Sequence, residues 1–204
     1  MTKQIIIVGA GSFGRELLSW CRSAALAMPI AGFLDDEGGT SGGLPWLGTT
    51  LDYQPTESQE FLVAIADPQG RSKVVSRLRE RGANFASFIH PTAVLAEEVR
   101  IGEGCILCPL SLVSVGASVG EFVVVNVHSS VGHDVHVGAF STLSSHVDLT
   151  GGVSLGARVS VGSSACVLPE VAVGDDSVIG AGAVVVRDMP SGSTVYSQPA
   201  KRLR

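Results

Sequence analysis

The second half of the chain repeats a bulky aliphatic side chain every six residues. An α-helix repeats about every 3.6 residues and a β-strand every second residue, so neither element alone gives this period. A parallel β-helix does, because each hexapeptide forms one short side and one corner of a stacked coil. The sixteen positions follow one another without a break: Leu95, Ile101, Leu107, Val113, Val119, Val125, Val131, Val137, Leu143, Leu149, Leu155, Val161, Val167, Val173, Ile179 and Val185.

A second, generally smaller residue precedes each aliphatic by two positions, as Val123 precedes Val125. A spacing of two places both side chains on the same face of a strand, so each side of the coil sends two residues inward. Stacked coils then predict one long apolar column, in which each buried Val or Leu contributes roughly 1.5–3 kcal/mol. Glycine follows the aliphatic at eight of the sixteen positions, and we expect these glycines to form the corners because they lack a Cβ.

Several positions that the pattern turns outward are also apolar. An exposed apolar stripe on a rigid prism is typical of a contact between subunits. We therefore expect an oligomer contact at Val115, Phe122, Val124, Val127 and Phe140.

The first part of the chain has a different pattern. Short apolar runs predict strands at residues 4–8, 31–34 and 61–65, and helical periodicity predicts helices at 15–27 and 69–81. This alternation is typical of a Rossmann-like α/β domain. The predicted organisation is therefore a Rossmann-like nucleotide-binding domain at 1–88, a β-helix at 89–190 and a tail at 191–204.

The turn after the first predicted strand carries a GxGxxG motif at residues 9–14. Such a turn cradles phosphate at a helix N-terminus, and Asp35 follows about twenty residues later, where an acidic residue can meet a ribose hydroxyl. The part before the repeats has the size of roughly one mononucleotide half of a dinucleotide fold. We therefore expect a nucleotide or a nucleotide-sugar ligand rather than NAD.

Composition excludes several classes of function. The net charge is −5 and there is no basic run, so a nucleic-acid or anionic-membrane partner is not expected. No apolar stretch reaches the roughly 18–20 residues of a membrane span, and the apolar N-terminal segment is too short for a signal peptide. We expect a cytosolic protein with free thiols, with Cys105 packed in the column. The single CxxC at Cys105 and Cys108 does not predict a zinc site.

The strongest catalytic candidate is His133, which follows Gly132 at a predicted corner and points outward. Asp134 is adjacent, and Asn126 occupies the corner one side earlier. A histidine whose tautomer is held by a carboxylate suits a general base near neutral pH.

Four stretches together resemble the bacterial nucleotide-sugar acetyltransferases of the hexapeptide-repeat family. They are residues 9–14, 33–36, 126–134 and 199–203. That family includes UDP- and dTDP-4-amino-sugar N-acetyltransferases and sialic acid O-acetyltransferases. The resemblance implies a left-handed β-helix and a homotrimer with active sites between neighbouring β-helices. It also implies acetyl-CoA as co-substrate, a nucleotide-linked amino sugar as acceptor, and no metal.

The resemblance assigns roles residue by residue. His133 would deprotonate the sugar amine, Asp134 would raise the basicity of His133, Asn126 would place the sugar, and Gly151 would donate its N–H to the oxyanion. Relatives often carry histidine where this chain has Phe13 and Thr142. The implied acetyl-CoA contacts are Thr142, Ser163, Ala181 and Lys201, and the implied nucleotide-sugar contacts are Gly11, Ser12, Phe13, Asp35 and Asp36.

The predicted function is direct acetyl transfer, in a ternary complex, to the 4-amino group of a nucleotide-linked 4-amino-4,6-dideoxy sugar. O-acetylation of sialic acid or a related sugar is the alternative within the same family. Two further alternatives are a metal enzyme resembling the gamma-type carbonic anhydrases, with His90, His128 and His133 as ligands, and a trimeric binding module without catalysis. The sequence leaves open the nucleotide base, the sugar stereochemistry and the acyl group.

Overall fold

The computed structural model describes residues 3–39 and 42–198. The N-terminal domain is a five-stranded parallel sheet with the strand order β3-β2-β1-β4-β5 and two helices. Its elements are β1 (Gln4–Val8), α1 (Ser12–Ser23), β2 (Ile30–Leu34), β3 (Trp46–Gly48), β4 (Gln59–Val63), α2 (Pro68–Glu80) and β5 (Asn84–Phe85).

The central strand β1 is buried on both faces, as expected for a parallel sheet covered by helices. Ile5 and Ile7 pack in one apolar cluster with Leu17 of α1. Ile6 packs in a second cluster with Val75 of α2. Because successive residues of a strand point to opposite faces, α1 and α2 cover opposite faces of the sheet.

Both helices begin earlier than the sequence pattern predicts. Helix α1 starts at Ser12 inside the glycine motif, rather than at Arg15, and it ends at Ser23 before Ala25 takes a positive φ of 50°. Helix α2 starts at Pro68, because the Asp67 side chain accepts a hydrogen bond from the Gly70 N–H and proline is favourable in a first turn.

The rest of the described chain is a parallel β-helix of two-residue strands. Leu112 pairs with Ser130, eighteen residues later, and the same step recurs along the helix. The strands are β6 (Phe88–Ile89), β7 (Val94–Leu95), β8 (Arg100–Ile101), β9 (Ile106–Leu107), β10 (Leu112–Val113), β11 (Ser118–Val119), β12 (Val124–Val125), β13 (Ser130–Val131), β14 (His136–Val137), β15 (Thr142–Leu143), β16 (Asp148–Leu149), β17 (Ser154–Leu155), β18 (Ser160–Val161), β19 (Cys166–Val167), β20 (Ala172–Val173), β21 (Val178–Ile179), β22 (Val184–Val185) and β23 (Thr194–Val195).

These strands form three sheets, which are the three faces of the prism. The face that packs against the N-terminal domain, which we term the docking face, contains β6, β9, β12, β15, β18, β21 and β23. The apolar face contains β7, β10, β13, β16, β19 and β22, and the polar face contains β8, β11, β14, β17 and β20. The predicted Rossmann-like domain followed by a left-handed parallel β-helix is therefore confirmed.

The predicted inner column is present. From β9 to β22, the second residue of each strand and the smaller apolar residues two positions before it form one buried cluster, which includes Cys105. Leu95, the first of the sixteen aliphatics, is 39% exposed at the end of the column. The hydroxyls of the buried inward serines donate hydrogen bonds to backbone carbonyls. Ser129 Oγ, for example, donates to Ser144 O at 2.7 Å. The column can thus hold small polar residues without unpaired groups.

The glycines that follow an aliphatic lie at the corners, as the sequence predicts. These glycines are needed because the next coil lies close; a Cβ on Gly162, for example, would lie 2.5 Å from Ala181 N. The left-handed backbone falls two residues later and is occupied mostly by other residues, such as Glu98, His128 and Asp134. Hence these glycines permit tight stacking of coils rather than a positive φ.

The expected oligomer stripe is mostly wrong. Phe122, Val124 and Phe140 are buried against the N-terminal domain of the same chain, and Val127 packs at the edge of the same contact. Only Val115 of that set is exposed. The apolar outward positions on this side therefore hold the two domains together.

Candidate active site

His133 and Asp134 lie at the corner between the apolar and polar faces, which we term the apolar–polar corner. His133 Nδ1 lies 3.0 Å from Asp134 Oδ2, and the two side chains are 64% and 74% exposed. With Nδ1–H donated to the carboxylate, Nε2 keeps its lone pair for a proton. The arrangement suits a general base that is open to a ligand.

Two glycines leave room for this pair. Gly116 precedes Asp134 on the same corner by one coil, and a Cβ there would lie 2.7 Å from Asp134 Oδ1. Gly151 follows His133 by one coil, and a Cβ there would overlap His133 Nε2. The predicted catalytic residues His133, Asp134 and Gly151 are thus brought together.

The Gly151 N–H is also available as a donor. Within residues 3–39 and 42–198 it makes no hydrogen bond, whereas the next amide, Gly152 N–H, donates to His133 O at 2.9 Å. A free, fixed N–H beside a base is the arrangement that stabilises an oxyanion in acyl transfer.

The glycine motif forms an open cradle at the start of α1. Gly9 has a φ of 102°, and a Cβ on Gly14 would overlap Gly9 O, so both are needed for the turn and for helix packing. A Cβ on Gly11 would meet nothing within 4 Å. Gly11 is the N-cap, and among the described residues no side chain caps the helix, which leaves the first-turn N–H groups without a side-chain partner.

The predicted nucleotide contacts separate into two groups. Asp35 lies at the cradle, where Oδ2 accepts from Ala10 N–H at 2.7 Å. Asp36 is engaged elsewhere, because its carboxylate accepts from Thr50 and forms an ion pair with Arg77 at 3.2 Å. Gly11 and Ser12 are exposed at the turn, and half-buried Phe13 packs edge-on to Trp20.

Asn126, Ser163 and Ala181 lie at the corner between the docking and apolar faces, which we term the docking–apolar corner. Asn126 Oδ1 accepts from Val127 N–H at 2.7 Å. This corner lies on the opposite edge of the apolar face from His133. Within one chain, the predicted base and the predicted sugar and acetyl-CoA contacts are therefore not brought together. Lys201 lies outside the described residues.

Thr142 is 8% exposed on β15, beneath the N-terminal domain. Its Oγ1 donates to Ala66 O and accepts from Arg71, a fully buried residue that the sequence reasoning missed. A signal was present, because Arg71, Val75 and Leu78 follow the spacing of one helix face and share its burial. The role of Thr142 as an acetyl-CoA contact stays a prediction.

Burial makes three of the four thiols poor nucleophiles. Desolvation raises the pKa of Cys21 to about 12 and that of Cys105 to about 11, and it also raises the pKa of Cys108. Cys166 is half-buried on the apolar face, and desolvation raises its pKa as well. A thiolate nucleophile is therefore not favoured here.

In the described parts of the chain, no three His, Cys, Asp or Glu side chains are placed to hold one metal ion. His128 stacks on His146 with ring centroids 4.9 Å apart, at a different corner from His133. Among the same residues, no helix combines the length and apolar character needed to cross a bilayer.

Comparison with known proteins shows which protein family the chain is similar to. Residues 4–78 match the family described as the PglD N-terminal domain. The structure resembles the acetyltransferase domain of PglB from Neisseria gonorrhoeae FA1090 in complex with acetyl coenzyme A, with a TM-score of 0.89, 30% identity and 100% coverage of both chains. It also resembles PerB from Caulobacter crescentus in complex with CoA and GDP-perosamine, with a TM-score of 0.90, 31% identity, and coverage of 98% of this chain and 97% of PerB.

The GDP-perosamine N-acetyltransferase of Escherichia coli O157:H7 is 29% identical over 127 residues, which cover 57% of this chain and 56% of the relative. The chain spans about half the length of the curated relatives it matches. The two solved structures match over nearly their full length. The chain belongs to the family of nucleotide-sugar acetyltransferases with a PglD-type N-terminal domain. The resemblance noted from the sequence is thereby confirmed.

Proposed function

We propose that this protein transfers the acetyl group of acetyl-CoA to the 4-amino group of a nucleotide-linked 4-amino-4,6-dideoxy sugar, in a ternary complex. The observation that carries the proposal is the His133–Asp134 pair beside the free Gly151 N–H. The relatives solved with acetyl-CoA, or with CoA and GDP-perosamine, support the two substrates. A cytosolic location is part of the same proposal.

The proposed mechanism needs no covalent acyl-enzyme. His133 Nε2 accepts a proton from the amine as the nitrogen attacks the thioester carbonyl, and Asp134 stabilises the resulting imidazolium. The Gly151 N–H donates to the oxyanion of the tetrahedral intermediate. When the intermediate collapses, the C–S bond breaks and the thiolate of CoA takes the proton from His133.

The proposed nucleotide site is the cradle of Gly11, Ser12, Phe13 and Asp35. Its free first-turn N–H groups suit a diphosphate. Asp36 belongs to this proposal through the resemblance, although Thr50 and Arg77 engage its carboxylate. Ser163 and Ala181, at the docking–apolar corner, are the proposed acetyl-CoA contacts, together with Lys201.

We also propose a homotrimer that assembles through the apolar face. Val94, Leu112 and Val184 point outward there and are 55%, 39% and 61% exposed. The two corners that carry the proposed site residues border this face, one on each edge. Three prisms around one axis would bring the apolar–polar corner of one chain to the docking–apolar corner of the next, which completes the site.

The test is release of the CoA thiol from acetyl-CoA with UDP-, dTDP- and GDP-linked 4-amino sugars and free sialic acid as acceptors. We expect release with one amino-sugar nucleotide, and a loss of turnover of roughly 10²–10⁴-fold in His133→Ala, the range for a general base. His136→Ala is the matched control, because His136 is exposed on the polar face and contacts Ser118 instead.

Unchanged turnover in a folded His133→Ala protein would refute the mechanism. Release with sialic acid alone would move the protein to the O-acetyltransferase branch. No release with any acceptor would contradict the proposed substrate class.

A further inference from the structure

Arg71 is a buried cation that joins the two domains. It lies in α2 and is 1% exposed. In the described part of the chain, its guanidinium donates to five backbone carbonyl oxygens and to one hydroxyl. The acceptors are Ile65 O and Ala66 O in the N-terminal domain, and Phe122 O, Phe140 O, Ser141 O and Thr142 Oγ1 in the β-helix.

None of these acceptors is a carboxylate. Desolvation lowers the pKa of Arg71 to about 10, and the charge of nearby Asp67 opposes the shift, so the guanidinium remains protonated at neutral pH. A buried charge is tolerated only when it is fully hydrogen-bonded. Five carbonyl dipoles from two domains therefore have to stay in place around Arg71, which gives the interface one preferred geometry.

Thr142 completes the same network. Its Oγ1 lies 2.9 Å from Arg71 Nη2 and donates to Ala66 O at 2.7 Å. The hydroxyl thus uses its donor and an acceptor site inside the protein, beneath the N-terminal domain. Thr142, on the docking face, is therefore hydrogen-bonded to both Arg71 and Ala66 of the N-terminal domain.

The part of this network that lies in the N-terminal domain adjoins the nucleotide cradle. Ile65 and Ala66 follow β4. Gly9, the first glycine of the cradle, lies so close to this segment that a Cβ on it would be 2.7 Å from Ala64 O. A shift of the segment that Arg71 holds would therefore displace the cradle itself.

We propose that Arg71 and Thr142 are positioning residues that fix the cradle at one height and angle above the β-helix. This proposal rests on the proposed function. Their purpose is to present the amine of a bound nucleotide sugar at the transfer site. In this proposal Thr142 acts on the sugar substrate through the cradle, which is an alternative to the acetyl-CoA contact that the resemblance implies.

The test measures kcat and KM for each substrate separately in Arg71→Lys, Thr142→Val and Thr142→Ser. For the first two variants we expect kcat/KM for the nucleotide sugar to fall roughly tenfold to hundredfold, the effect of a small misplacement, with KM for acetyl-CoA changed by less than about twofold. Thr142→Ser keeps the hydroxyl and should restore the wild-type values.

Arg79→Met is the matched control. Arg79 lies on the same helix and contacts the β-helix through exposed ion pairs with Glu103 and Glu121 and through the ring of Phe122, over which methionine can still pack. Exposed pairs contribute little, so its sugar kinetics should stay near those of the wild type. An equal loss in Arg79→Met would show that any interdomain contact suffices and would overturn the specific role of Arg71.

A readout without catalysis separates this proposal from the proposed function. Hydrogen–deuterium exchange at the amides of Ala64 and Phe140, which donate to Val8 O and Glu121 O, should become faster in Thr142→Val, while the inner column of the β-helix stays protected. A protein that acetylates no acceptor yet shows this pattern would refute the function and keep the domain coupling. A rise in KM for acetyl-CoA alone in Thr142→Val, or unchanged exchange and kinetics in folded variants, would overturn the proposal.

Discussion

The His133 ring occupies space that is open because Gly151, one coil later, has no side chain. A Cβ on Gly151 would overlap His133 Nε2, the atom that the mechanism requires. The corner backbone itself accepts a Cβ, because Ala157 occupies the equivalent position one side later. Gly151 therefore matters for the space it leaves around the imidazole.

Gly151→Ala should push the imidazole away from its present position. We expect kcat to fall roughly 10²-fold, as a misplaced catalytic group can cause, while the thermal midpoint changes little. Steady-state CoA release and a thermal unfolding scan check the two halves of this prediction. Wild-type turnover in Gly151→Ala would mean that His133 is free to move without cost. A large drop in stability would mean that Gly151 has a folding role instead.

At the scale of elements, α2 and an aromatic stack carry the contact between the domains. Phe122 is fully buried, stacks on Phe140 with ring centroids 5.2 Å apart, and meets Phe85 edge-on at 5.0 Å. Phe85 belongs to β5 of the N-terminal domain, whereas the other two lie on corners of the β-helix. Apolar burial and the Arg71 network thus act at the same interface.

Phe122→Ala should loosen this interface without unwinding the β-helix. Truncation of a buried phenylalanine costs about 3–5 kcal/mol, and the loss should fall on the docked domain. We expect the N-terminal domain to unfold at lower urea concentration, in a transition separate from that of the β-helix. Tyr196→Ala, which removes an aromatic ring that is 78% exposed, is the control and should leave the curve unchanged. A single unshifted transition in Phe122→Ala would contradict this account.

At the scale of the whole molecule, the residues of the proposed site lie on the two edges of the apolar face. One chain places His133 at one edge and Asn126, Ser163 and Ala181 at the other. We therefore propose that the trimer is required for activity. A variant that separates the subunits should lose turnover even though each chain stays folded.

Leu112→Arg places a charge on β10, the second strand from one end of the apolar face. Burying that charge without a partner would oppose assembly, so we expect a monomer with little CoA release and an unchanged far-UV CD spectrum. Ser154→Arg, at an exposed position of the polar face, is the matched control and should remain trimeric and active. Sedimentation velocity measures the assembly. An active monomer would refute the shared site.

Cys166 offers an independent measure of the same contact. It is half-buried on the apolar face of a single chain, whereas Cys21, Cys105 and Cys108 are buried. In the assembled protein the Cys166 thiol should resist labelling by a thiol reagent. In Leu112→Arg it should react. Equal labelling in both proteins would place the subunit contact on another face.

The sequence determined the β-helix almost completely. Its period of six fixes which side chains point inward, and this local alternation needs no knowledge of the rest of the fold. The glycine motif likewise determined the cradle, and the order of glycine, histidine and aspartate at residues 132–134 placed the candidate base on a corner. These features depend on neighbours in sequence, so the pattern contains them.

The tertiary structure decided how the outward positions are used. Phe122, Val124 and Phe140 read as an oligomer stripe from the sequence, yet the chain's own N-terminal domain covers them. Arg71 and Thr142 meet across 71 residues of sequence, and no periodicity links them. The docking of the two domains sets which surface buries an outward apolar side chain and which carbonyls surround a buried cation. The local sequence pattern does not encode that docking.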